Sequence, residues 1–103
     1  MRASAVAVFA ALGDPSRAAI VERLCAHGPA SITALAAGAE ITRQAVTKHL
    51  RVLEDARLVT SEKTGRETIY EFTPARLDDA RKALDAMTSH WDQAIERLRK
   101  LVE

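Results

Sequence analysis

Residues 41–72, ITRQAVTKHLRVLEDARLVTSEKTGRETIYEF, decide how this chain folds. Thr42 is a helix-capping residue type, and apolar side chains then recur at Val46, Leu50 and Leu53. That spacing predicts a helix over Arg43–Ala56 with one buried stripe. The other face carries Thr42, Arg43, Gln44, Thr47, Lys48 and Arg51, and no acid occurs between Thr42 and Arg51. Two strand-like runs follow, Leu58–Lys63 and Glu67–Phe72, joined by Thr64-Gly65-Arg66. A glycine in so short a joint is a β-hairpin signal.

Upstream, Ser31 is placed to cap a short helix reaching Ala37 or Ala39, with Ile32, Leu35 and Ala36 facing inward. Glu40-Ile41 links it to the next helix, so residues 31–56 read as a helix-turn-helix and 58–72 as its wing. In that arrangement the second helix enters the major groove of DNA. Arg43 can then pair with guanine and Gln44 with adenine, while Thr42, Thr47, Lys48 and Arg51 suit phosphates. Lys63 and Arg66 on the wing complete the expected DNA-binding set, with Arg66 at the hairpin tip able to enter the minor groove. Net charge is only +1. Charge alone slightly favours the plainer reading of a solvated helix face.

Further upstream, Asp14 and Pro15 open a helix over Ser16–Ala26 with Ile20, Val21, Leu24 and Cys25 on one stripe. Gly28-Pro29 stops it. Ala3–Leu12 reads as a first helix, with Val6, Phe9 and Ala10 at helical spacing. Downstream, Thr73-Pro74 offers a cap and a first-turn proline for a helix over Ala75–Glu103. Its heptad positions are apolar throughout: Leu77, Leu84, Trp91 and Leu98 on one seam, Ala80, Met87, Ala94 and Leu101 on the other. Such a helix is ~43 Å long, against a radius of gyration of ~13 Å for a compact domain of this size. A second copy of the chain is the simplest cover for it. The expected interface is Phe9, Leu84, Met87, Trp91, Ile95 and Leu98. The alternative is a helix that breaks near Thr88-Ser89 and folds back.

Composition bounds the rest. The chain has 103 residues, 48% apolar and 28% charged, which suits one globular domain. One cysteine excludes an internal disulfide framework and a cysteine-rich zinc site. The longest apolar run, residues 3–13, is half what a membrane helix needs, so no membrane association and a reduced, cytoplasmic setting are expected. No paired carboxylates, Ser-His-Asp set or phosphate-binding glycine loop occurs in a supporting context, so no enzyme activity is expected. Cys25 is read as a buried structural thiol and His27 as a helix-end cation. His49 is assigned to packing or a phosphate, His90 to an interface edge and Trp91 to a core anchor.

The stretches 12–17 (LGDPSR) and 41–54, together with Leu58-Val59, Gly65-Arg66 and Tyr70, resemble the ArsR family of bacterial winged-helix repressors. The resemblance implies a mainly α fold with a small β-hairpin: a winged helix-turn-helix spanning 1–103, with helices 1–12 and 75–103 forming a dimer. It also implies a homodimeric repressor that binds a palindromic operator in double-stranded DNA, at its own or a neighbouring operon. Family metal sites use a Cys-x-Cys box or Asp and His ligands on the last helix. Here residues 33–39 hold no cysteine and the last helix has His90 alone, so no metal or cofactor is expected, as in the family's metal-blind branch. The sequence names no effector. Glu40 and Arg57 stand where the family commonly has glycine. The competing readings are a redox- or ligand-gated sensor repressor using Cys25, and a winged-helix module that binds protein.

Overall fold

The computed structural model describes residues 3–103, so the first two positions of the expected 1–12 element lie outside the described residues. The order is α1 (Ala3–Leu12), α2 (Pro15–His27), β1 (Ala30–Ser31), α3 (Ile32–Ala37), α4 (Arg43–Asp55), β2 (Val59–Thr64), β3 (Glu67–Phe72) and α5 (Ala75–Val102). The fold is a winged helix-turn-helix with a long last helix.

The stretch 12–17 joins the first two helices by serving both. The Asp14 carboxylate accepts the amides of Ser16 at 2.8 Å and Arg17 at 3.1 Å, which caps α2. Arg17 reaches back and donates to the Ala11 and Ala10 carbonyls at 2.7 and 3.4 Å, which caps the end of α1. At its far end α2 stops at Gly28, whose φ of 83° and ψ of −170° only glycine adopts at low cost.

The core is one cluster, with Leu50, Leu53, Leu58, Val8 and Val46 fully enclosed. The expected stripe of α4 is thus buried as a whole. Its polar face remains outside, because a helix with so strong an amphipathic pattern has one low-energy way to lie on a core. Leu35 of α3 is buried as expected, with Ile32 and Ala36 half-buried at its flanks.

Four expectations are corrected. Cys25 is exposed: it lies ~100° round α2 from Leu24 and past Val21, where nothing packs. The buried face of α1 is Ala5, Val8 and Ala11, while Val6 and Ala10 are exposed and Phe9 is half-buried. α1 is apolar on both sides, so its spacing could not choose between them. A short strand, β1, was not expected; it pairs antiparallel with β3 and makes the wing the larger part of a three-stranded sheet, ordered β1-β3-β2. Thr73 does not cap α5: Pro74 occupies the cap position and Thr73 instead donates its amide to the Leu58 carbonyl at 2.8 Å. The expected last helix, by contrast, holds: α5 runs unbroken through Thr88-Ser89, where the Thr88 hydroxyl donates to the Leu84 carbonyl at 3.0 Å, and the alternative of a break there falls away.

α1 packs on the N-terminal part of α5, pinned by the Ser4 hydroxyl donating to the Asp79 carboxylate at 3.2 Å. Only Ala80 of α5 is buried. Beyond it, Leu84, Met87, Trp91, Ile95, Leu98 and Leu101 stand exposed in a line, Trp91 at 65%. The chain measures 67 × 24 × 21 Å, with a radius of gyration of 17.9 Å. The excess over a compact domain comes from this uncovered helix.

Candidate nucleic-acid interface

The α4 N-terminus is set by Thr42, whose hydroxyl accepts the Ala45 amide at 3.1 Å. From there an open groove runs along the helix, lined by Arg43, Gln44, Thr47, Lys48 and Arg51, with Ile32 of α3 on its rim. It contains no acidic side chain. Arg43, Lys48 and Arg51 make no ion pair among the described residues, so their charges are available to an outside anion. Thr47 differs from the sequence expectation in detail. Its hydroxyl donates to the Arg43 carbonyl at 2.8 Å, so its proton is already committed and the side chain can still accept a hydrogen bond or present its methyl group. The sequence reading placed Ile32 inward; α3 is too short to cover it fully, and it edges the groove.

The hairpin begins just beyond the C-terminus of α4. β2 and β3 pair from Val59↔Phe72 to Thr64↔Glu67, leaving Gly65 and Arg66 as a two-residue turn. Gly65 has φ 63° while Arg66 stays at negative φ, the pattern of a type II′ turn, which needs glycine first. Arg66 therefore projects at the tip, exposed and free of ion pairs among the described residues. Strand alternation puts Lys63 on the face shared with Val59 and Ser61, the face turned toward α4. All eight expected DNA-binding residues thus lie on α4, at its cap or on the wing, and the connection between the two parts fixes how they combine.

That connection is a Schellman motif. The Leu58 amide donates to the Leu53 carbonyl at 3.0 Å and the Arg57 amide to the Glu54 carbonyl at 2.9 Å. Arg57, with φ 59°, is the one non-glycine residue at positive φ among the described residues. Leu53 and Leu58, both fully buried, make the apolar contact that accompanies the motif. Glu40 has no positive φ and carries no such strain.

The other singled-out residues fall elsewhere. His49 is half-buried on α4 and close enough to Asp14 to act on its carboxylate. His27 is exposed in the last turn of α2. His90 and Trp91 are exposed on α5. No group of three or more metal-ligating side chains converges among the described residues. No single described helix is long and apolar enough to cross a membrane.

Residues 12–62 match the family model described as a helix-turn-helix domain. The HTH-type transcriptional regulator Rv2034 of Mycobacterium tuberculosis is 40% identical over 93 residues, which cover 90% of this chain and 83% of that protein. The arsenical resistance operon repressor of Bacillus subtilis is 35% identical over 63 residues, or 61% of this chain and 60% of that protein. Among solved structures, an ArsR-like transcriptional regulator from Rhodococcus sp. RHA1 superposes with a TM-score of 0.84 at 34% identity, covering 98% of this chain and 94% of that one.

Proposed function

This chain belongs to the ArsR family of helix-turn-helix transcriptional regulators, and from that premise we propose that it is a homodimeric repressor reading a palindromic operator at its own or a neighbouring operon. The observation that carries the reading is the acid-free groove along α4. Three unpaired cations and an amide side chain there suit a surface that follows a phosphate backbone while reading base edges. Arg43 and Gln44 take the base-reading roles. Lys48, Arg51, Thr42 and Lys63 hold phosphates, Thr47 offers its methyl or an acceptor, and Arg66 enters the minor groove.

The dimer reading rests on two uncovered apolar faces, the seam of α5 and the outer side of α1. Phe9, Leu84, Met87, Trp91, Ile95 and Leu98 would be shared with the second copy. The role of repressor, and not activator, takes its support from the relative named a repressor.

The deciding experiment is a shift assay on the DNA upstream of its own gene at several salt concentrations, with the protein's mass in solution measured alongside. A retarded species from a dimer, with affinity falling steeply as salt rises, is the expected result. A monomer, or affinity equal for any DNA, would overturn the reading.

A further inference from the structure

Glu54 sits in the last turn of α4, where its carboxylate accepts the Ser61 hydroxyl of β2 at 3.3 Å. Ser61 lies directly opposite Tyr70 of β3, so the two side chains share one face of the hairpin. Tyr70 in turn lies opposite Ala30 of β1, in the middle of the sheet, and is only 7% exposed. Its hydroxyl lies within the field of the same Glu54 carboxylate, without the close hydrogen bond that Ser61 makes. Burial first, and then that negative charge, push the Tyr70 phenol above its ordinary value, against the opposing charge of Arg51. One carboxylate on the recognition helix thus binds the hydroxyl of one wing strand and faces that of the other. Arg51, one turn earlier, makes no ion pair with Glu54, although the i,i+3 spacing permits one.

We propose that Glu54, Tyr70 and Ser61 form a clasp that sets the angle of the wing against the recognition helix, and that they are positioning residues for DNA binding. The proposal rests on the reading of α4 and the wing as the DNA interface. From Ser61 to the tip at Gly65 the hairpin extends ~13 Å, so a tilt of ~10° at the clasp moves Arg66 by ~2 Å. A hydrogen bond does not survive that displacement. With the Glu54 carboxylate bonded to Ser61, Arg51 makes no ion pair with it and its guanidinium is available to a phosphate.

The test is a double-mutant cycle read by fluorescence anisotropy on the DNA upstream of the protein's own gene. Tyr70→Phe keeps the buried ring and removes only the hydroxyl. Ser61→Ala is the second clasp variant, exposed enough to fold should Tyr70→Phe not. Each is measured alone and combined with Arg66→Ala. A clasp variant alone should weaken binding roughly 3- to 10-fold, the equivalent of one hydrogen bond. In the Arg66→Ala background the same change should have almost no effect, because a misplaced wing loses nothing once its tip contact is gone. Loss of general stability cannot produce that pattern, since it would act in both backgrounds. Equal weakening in both backgrounds, or none in either, overturns the clasp. If Arg66→Ala itself leaves affinity unchanged, the wing is no DNA contact, and the underlying reading fails together with the clasp.

Discussion

Arg57 occupies the place where a helix ending in a Schellman motif most often has glycine. Holding an L-residue at φ 59° costs ~1–2 kcal/mol, because its Cβ crowds the following carbonyl. Both hydrogen bonds of the motif are made, and Leu53 and Leu58 lock it from inside the core, so the surroundings enforce the conformation. Arg57→Gly should therefore raise stability by roughly 1 kcal/mol, less the greater unfolded-state entropy of glycine, as read by thermal melts. If its charge also serves a phosphate, the same variant binds DNA more weakly. A less stable protein with unaltered binding would refute both statements. On the proposed reading the α4 cations divide by role in the same way. Arg43→Ala should cost ~1–3 kcal/mol and relax sequence preference, whereas Lys48→Ala should weaken all sequences alike and flatten the salt dependence. At Asp14, the Arg17 amide foremost, with that of Ser16, holds the carboxyl below its ordinary range. A lowered folded-state pKa means that this cap stabilises fully above the ordinary carboxylate range and is lost as pH falls through the lowered value. The gap in melting temperature between wild type and Asp14→Ala should then close on acidification.

At the scale of elements, α5 separates what a single chain uses from what it leaves over. Its first turns, with Leu77 and Ala80, pack on α1 and the core. The large apolar side chains of the seam from Leu84 onward stand exposed among the described residues, Leu98 at 59%. This gives Trp91→Ala a clear reading. A side chain 65% exposed contributes little to an isolated chain, so the substitution alone should hardly move a monomer's melt. If a second copy encloses it, the same change should cost roughly 3–5 kcal/mol and make the melt depend strongly on concentration. Light scattering that shows an equally stable dimer for Trp91→Ala would count decisively against the seam.

For the whole molecule, the elongation to 67 Å reflects a helix whose apolar surface the chain itself leaves uncovered, and the proposed two-fold dimer would carry two recognition helices and two wings. Major-groove half-sites about one helical turn apart, ~34–36 Å, follow for such a dimer. Footprinting should reveal two protected segments related by symmetry, flanked by minor-groove protection where Arg66 enters. A single asymmetric protected segment would leave the long helix without its expected role.

The sequence by itself determined the strongly periodic parts. Val46, Leu50 and Leu53 form one stripe and a run without acids forms the opposite face, so α4 had one orientation available. Glycine in the short joint Thr64-Gly65-Arg66 between β-prone runs marked a tight hairpin, and only strand pairing, which takes Thr64 into β2, reduced the joint to a two-residue turn. The residues on those elements are therefore legible in the sequence as a candidate interface. Only the tertiary structure decided the rest, because each case turns on non-local contacts. α1 is apolar on both sides, and only its packing on α5 selects Ala5, Val8 and Ala11. Cys25 lies at the margin of its stripe, where exposure depends on whether a neighbour reaches that far. β1 is two residues long, too short to carry any period, and exists because β3 offers it an edge. The meeting of Glu54, Ser61 and Tyr70 joins a helix to two strands through strand register and the αL turn at Arg57, neither of which any local pattern of residue types encodes.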